Sequence, residues 1–429
     1  MRPKDYDRFE RTVTALEARA RELGLDFFEM RYELCPPDVV YRIAGAGMPT
    51  RFNHWSFGKH YYRQKVDYDF GLSRIYELVV NSNPCYAFLL ENNTVLQNEM
   101  VVAHVLGHSD FFKHNSRFAR TNRNMVDTMA ETSARFEKYE EMYGVEKVEA
   151  VIDAVLAIAE HVDGSLRAEQ RRRKELPDSS RFNQDRAQLD ESETDLLYFL
   201  VQNGRYLKDW ERDIVASLRE ESLYFWPQFE TKIMNEGWAT YWHTFLMQEQ
   251  DLEPDDAIEF AKLTAGVSQP NRFALNPYNV GLAIWREIER KYGRDEMFVV
   301  RETDSDVSFL RNYLTQEVVD ECDLYLYERK GDEWVIVERD YQAIRDQLIA
   351  QRVNGGFPVI HVTSGDRDGA GELFLTHQYE GVELDPGYVE KTLPHVHRLW
   401  GKRVTLKTVL DNRETEYTYD GNKVVRVFR

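Results

Sequence analysis

Cysteine is scarce in this sequence. Three occur in 429 residues, Cys35, Cys85 and Cys322, and no two form a C-x-x-C pair. That leaves neither a disulfide framework nor a cysteine-rich zinc site, so any metal must be held by histidine and carboxylate. Basic charge is also short: 55 Lys and Arg stand against 74 Asp and Glu, a formal net charge of -19. Binding a polyanion needs a dense basic face, which excludes nucleic acid as the main ligand. No stretch approaches the ~20 consecutive apolar residues of a membrane-spanning helix. The opening residues, MRPKDYDRFERTV, lack the apolar core and small-residue cleavage site of a secretory signal. A cytoplasmic protein without a membrane span is expected. Walker-type glycine loops, a G-x-G-x-x-G after a strand and a G-x-S-x-G elbow are missing too, so nucleotide use is not indicated.

What is present suffices for a large core, since 42% of the residues are hydrophobic. The patterning predicts an α+β protein: a large, mainly α-helical domain over residues 1–355 and a small β-rich domain over 356–429. Residues 6–24 carry Phe9, Val13, Leu16, Ala20 and Leu23 at helical spacing and end on Gly24. The stretch Leu34 to Lys65 is dense in Pro, Gly, aromatics and His without a steady period, and reads as ordered irregular structure. Tyr86 to Leu90 reads as a strand, and Thr94 opens a helix that is apolar on nearly every side. Residues 125–162 continue as helices, and an exposed polar insertion follows at about 164–194. Helical patterning resumes at Asp195 and, after Asn276-Pro277, in YNVGLAIWREIERKYG. From Glu333 alternation sets in, and PVIHVTS, GELFLTHQY, RVTLKTVLD, TEYTYD and KVVRVFR read as short strands.

Two constellations lie on the apolar helices. His104 and His108, at i and i+4, project from one face with a spacing suited to a shared metal ion. Glu236, Thr240 and His243 share one face of NEGWATYWH. A carboxylate buried among Trp and Tyr is costly unless paired, so Glu236 requires a cation. An arginine would serve; so would a metal held by His104 and His108. Two His, one Glu and an open position make the catalytic zinc arrangement, and another divalent metal is an alternative. His243 is a candidate fourth ligand or transition-state donor. Glu99 is the carboxylate nearest in sequence for activating water, though it sits off the two-His face; Glu131 is a second candidate. His114 reaches the site only if the helix ends near Ser109-Asp110. Arg51, His54 and His60 in the aromatic stretch are candidates for binding an anionic or carbonyl group of a substrate. Tyr278 and Asn279 join them, because free backbone N–H groups gather at a helix N-terminus.

The blocks CPPDVVYRIAGAGMPTRFNHWSFGKHY, NEMVVAHVLGHSDFFKHN, NEGWATYWH and NPYNVGLAIWREIERKYG resemble the stage V sporulation protein R (SpoVR) family, in family order over essentially the whole chain. The resemblance implies an association with sporulation and spore cortex formation. It also implies a PrkA-type serine kinase and a von Willebrand-like protein as partners, because such genes often lie beside the family's own. H-x-x-x-H followed far downstream by E-G-W-A-T-Y is similar to gluzincin metallopeptidases, whose third ligand is a Glu on a later helix. That similarity implies a zincin-like helical domain and a metal-dependent hydrolase or amide-transfer enzyme acting on peptide-like or cell-wall-precursor bonds. The sequence departs at Val105, where those enzymes carry the Glu that acts as general base. The alternative is a non-catalytic regulatory or assembly factor with a structural His/Glu cluster.

Overall fold

A computed structural model describes residues 3–69, 78–165, 193–271, 274–367 and 369–429. The expected insertion at about 164–194 falls almost wholly outside the described residues. The chain is mainly helical with a β-sheet region near the C-terminus, an α+β protein. It divides into two compact units, residues 1–130 with 227–355, and residues 131–226 with 356–429.

The first unit opens with helix α1 (Pro3–Glu22) and a three-stranded sheet of β1 (Met30–Cys35), β2 (Leu78–Val80) and β3 (Cys85–Leu90), in the order β1-β3-β2. β1 runs parallel to β3, with Met30 opposite Cys85 and Cys35 opposite Leu90. After β1 the structure corrects the irregular reading of residues 34–65: α2 (Pro37–Ala46) and α3 (Trp55–Asp69) leave only Pro36 and 47–54 of those residues without regular structure. Pro37 starts α2 and Gly47, at φ 82°, ends it, so these residues mark helix ends and not a loop. α3 shows no period because Trp55 and Tyr62 point to solvent.

Helix α4 (Val95–His114) begins with a reciprocal cap, Thr94 Oγ1 accepting from Gln97 N and Gln97 Oε1 from Thr94 N, each at 3.1 Å. Residues 96–112 of α4 are all buried, as its all-round apolar pattern anticipates. α5 (Met125–Tyr143), α6 (Val145–Leu156), α7 (Leu196–Asn203) and α8 (Asp209–Glu230) follow. The chain then enters α9 (Lys232–Gln248), α10 (Pro254–Val267) and α11 (Pro277–Tyr292).

α9 is the central helix of this unit, packed against α4 on one side and α11 on another. Glycine sets both approaches. A Cβ on Gly107 would stand 2.8 Å from Ala239 Cα, and one on Gly237 would stand 2.3 Å from the Gly281 carbonyl carbon. Trp238 and Trp285 fill the α9–α11 seam edge to face, with ring centres 4.9 Å apart. Helices α12 (Arg294–Thr303), α13 (Asp306–Tyr313), α14 (Gln316–Glu321) and α15 (Tyr341–Ala350), with the hairpin β4 (Leu326–Lys330) and β5 (Glu333–Glu338), complete the unit.

In the second unit β6 (Ile360–Arg367), β7 (Glu372–His377), β8 (Val404–Leu410), β9 (Arg413–Tyr419) and β10 (Val424–Phe428) form a sheet in the order β10-β9-β8-β7-β6. β7 and β8 are parallel and joined by α16 (Pro386–Trp400), a helix the strand reading did not anticipate. Its helical spacing is present in Val389, Leu393, Val396 and Leu399, all buried, but Gly387 and Pro394 within it read as breakers.

Candidate metal centre

α4 presents His104 and His108 one turn apart, and the close α4–α9 approach at Gly107 brings Glu236 opposite both. Glu236 Oε2 lies 3.7 Å from His104 Nε2 and 3.4 Å from His108 Nε2. The three donor atoms lie within 4.8 Å of one another, and all three residues are buried. Hydrogen bonds from ring N–H to carboxylate would be shorter, about 2.7–2.9 Å. Metal bonds of about 2.0–2.1 Å at tetrahedral angles place ligand atoms about 3.3–3.4 Å apart. Oε2 is buried and has no hydrogen-bond partner among the described residues. The three residues could hold a shared divalent ion.

Each imidazole is oriented through its other nitrogen. His108 Nδ1 lies 2.8 Å from Asn235 Oδ1, an oxygen that only accepts, so Nδ1 carries the proton and the Nε2 lone pair of the neutral ring faces Glu236. His104 Nδ1 and His243 Nδ1 are 2.8 Å apart, so one must donate to the other. If Nε2 of His104 keeps its lone pair for a ligand role, its Nδ1–H donates to His243, whose neutral ring then carries its proton on Nε2. Burial, followed by the nearby His104 and His108, holds His243 well below the ordinary histidine value, which keeps that ring neutral. Burial alone would push the Glu236 carboxyl up. The facing imidazoles of His104 and His108 and the Lys232 ammonium outweigh it, and the group stays anionic well below its usual range.

The structure thus brings together His104, His108, Glu236 and His243, and places the Tyr278 ring 6.1 Å from that of His104. Glu99 is buried on α4 with Oε2 3.2 Å from Arg8 Nη2, and Arg8 also holds Asp256. Glu131 is an exposed residue of α5. α4 runs unbroken to His114, whose Nε2 contacts Asp26 and not the centre. At the start of α11, Asn276 Oδ1 accepts from the backbone N–H groups of Tyr278 and Asn279, so those donors are spent within the cap. Arg51 donates to the Ala46 carbonyl and stacks 4.0 Å over Phe57, His54 Nδ1 contacts Ser56 Oγ at 2.7 Å, and His60 is exposed on α3. The contacts described for Arg51 and His54 hold the α2–α3 connection.

Two residues of the centre escaped the sequence reading, Asn235 and Lys232. Lys232 Nζ contacts Glu236 Oε1. Its i, i+4 spacing to Glu236 was available as a signal; Asn235 gave none, because its partner is 127 positions away.

A family model described as "SpoVR like protein" matches residues 4–357, and one described as "SpoVR-like C-terminal domain" matches 358–411. An Escherichia coli (strain K12) protein named "Uncharacterized protein YcgB" is 29% identical over an alignment of 470 residues, which covers 94% of this chain and 92% of that protein. No solved structure matches. Among the described residues no helix is long and apolar enough to cross a membrane.

Proposed function

The chain belongs to the SpoVR family, and from that premise we propose that His104, His108 and Glu236 hold a divalent metal ion, zinc first, in a hydrolytic or amide-transfer site for peptide-like or cell-wall-precursor bonds. The observation that carries this is the buried, unpartnered Glu236 Oε2 facing two imidazole nitrogens at 3.4 and 3.7 Å. A half-satisfied polar cluster in a core is expensive, and a cation completes it. When bound, such an ion supplies Lewis acidity toward a carbonyl and toward water.

The chain's own residues do the rest. Asn235 fixes the tautomer of His108, and His243 accepts a hydrogen bond from the Nδ1–H of His104, so both rings turn Nε2 inward. The Nε2–H this leaves on His243 is buried and has no hydrogen-bond partner among the described residues, a donor available to developing negative charge. The zincin-like reading, two His on one helix and a Glu on a later one, is supported by the α4–α9 pairing. Val105 replaces the gluzincin base, and Glu99 is paired with Arg8, so proton transfer falls to His243 in this reading.

Val105 and the Lys232–Glu236 contact favour a second reading, a regulatory or assembly factor with a structural metal staple. The family's association with sporulation and with PrkA-type kinases and von Willebrand-like proteins accords with it.

Plasma mass spectrometry of the purified protein tests the metal. About one ion per chain is expected, lost in His104→Ala and His108→Ala variants that retain their circular dichroism. A wild-type protein that takes up no metal when supplied with zinc or manganese would overturn the proposal.

A further inference from the structure

The end of α9, one side of α10 and α11 enclose an open cleft of about 590 Å³, in the same unit as the candidate metal centre. The room comes from the sequence of α10. Ala257, Ala261, Ala265 and Ser268 recur every three or four residues and line the cleft, so this face of the helix fills little space. Met247, Leu252 and Phe260 give the cleft an apolar wall. Phe260 also packs edge-on to the His243 ring, with ring centres 6.4 Å apart. A volume of this size suits a small-molecule ligand.

Two side chains of opposite charge border this cleft, and the protein uses neither. Arg286 of α11 and Asp251 of the α9–α10 connection make no ion pair or hydrogen bond among the described residues, with each other or with any other group. The next arginines along the chain are engaged, Arg290 by Glu287 and Arg294 by Glu289. Thr264 Oγ1, on the cleft side of α10, is buried and has no hydrogen-bond partner among the described residues. Water ordinarily satisfies exposed ions; these two are set apart by sharing one cleft with an apolar wall and an unpaired buried hydroxyl. A guanidinium offers a carboxylate two parallel N–H donors, and a carboxylate accepts from an ammonium. Hydrocarbon fits the apolar wall.

We propose that this cleft binds a zwitterion with an apolar body, an amino acid or a short peptide, whose carboxylate meets Arg286 and whose ammonium meets Asp251. The site stands apart from the metal ligands and does not depend on the metal reading.

Four probes, titrated into the full chain and followed by ligand-observed NMR, separate the contributions. L-leucine and leucyl-leucine carry both charges, isocaproate keeps the carboxylate alone and isoamylamine the amine alone. At least one of the two zwitterions is expected to bind about tenfold more tightly than either single-charge analogue. If leucine is the tighter zwitterion the ligand is a free amino acid, and if the dipeptide is, a peptide. Arg286→Met should weaken the zwitterion at least about tenfold and leave isoamylamine unchanged; Asp251→Asn should weaken it while sparing isocaproate. Both positions are exposed, so the variants should keep the wild-type circular dichroism. Failure of every probe to bind at concentrations up to ~10 mM overturns the inference. So does a zwitterion that binds no better than its single-charge analogues, or one that either variant leaves unaffected.

Discussion

α4 and α9 bury two acidic centres close together along the same helix pair, and the two are built in opposite ways. At Asp110 every lone pair that matters is answered: Arg301 Nη1 lies 2.8 Å from both oxygens, Trp238 Nε1 donates at 2.9 Å and the Asp26 backbone N–H at 2.9 Å. The pair is nearly inaccessible, 4% and 0% exposed. At Glu236, two residues before Trp238, one oxygen has Lys232 while the other faces two imidazoles beyond hydrogen-bond geometry. Both carboxylate oxygens of Asp110 have donors of the protein, whereas Oε2 of Glu236 has none among the described residues. The inference to a ligand comes from that contrast and not from burial, which the two share.

The contrast is open to attack by mutation. The largest effect belongs to Arg301→Met, which strands the Asp110 charge and should lower unfolding free energy by about 3–5 kcal/mol in urea titrations. Glu236→Gln, assayed in the same way on metal-free protein, should change stability by no more than about 1 kcal/mol, because it removes a half-exposed lysine's partner and a buried charge together. Equal losses in the two variants would erase the distinction.

Next in size is Gly237→Ala. Its Cβ would meet the Gly281 backbone at 2.3 Å, and neither helix can yield without separating. A loss of about 1–3 kcal/mol in thermal or urea unfolding is expected, with reduced metal uptake because Glu236 shifts with its neighbour. Unchanged metal content in this variant would show that the centre does not depend on the close helix crossing.

The smallest effect is a slope. Asp306 caps α9 through the N–H groups of Ile233 and Met234, and burial pushes its carboxyl up to about 7. The unfolded chain releases that proton near pH ~4. Between these values the folded state binds more protons, so this group's contribution to stability declines as pH rises toward about 7. Asp306→Asn keeps an acceptor at the cap and should flatten this part of the curve when urea midpoints are compared across that range. An unaltered slope would mean that Asp306 is already ionised there.

Much of the helical frame is legible in the sequence, because α4, α9 and α11 announce themselves through apolar residues on most faces and through Pro277 at a helix start. The i, i+4 spacing of His104 and His108, and the cost of burying Glu236 among tryptophans, are legible for the same reason: both follow from one helix at a time. What escapes is pairing at a distance. His104 meets His243 across 139 positions, His108 meets Asn235 across 127, and Asp110 meets Arg301 across 191. No local period encodes these partners. The α2–α3 region and α16 escape for a different reason. Their glycines and prolines are helix ends or tolerated interior residues, which composition alone does not distinguish from loops.

The interleaving of the two units also orders events as the chain is made. The ribosome delivers residues 1–130 first, then the whole of 131–226, and only afterwards α9 with Glu236 and His243. α4, apolar on nearly every face, therefore has to wait for its principal neighbour while a stretch belonging to the other unit emerges. That stretch waits in turn for the strands from residue 356 onward. Exposed apolar surface held open in this way invites aggregation and chaperone binding, so the nascent chain is at its most vulnerable between the synthesis of α4 and that of α9.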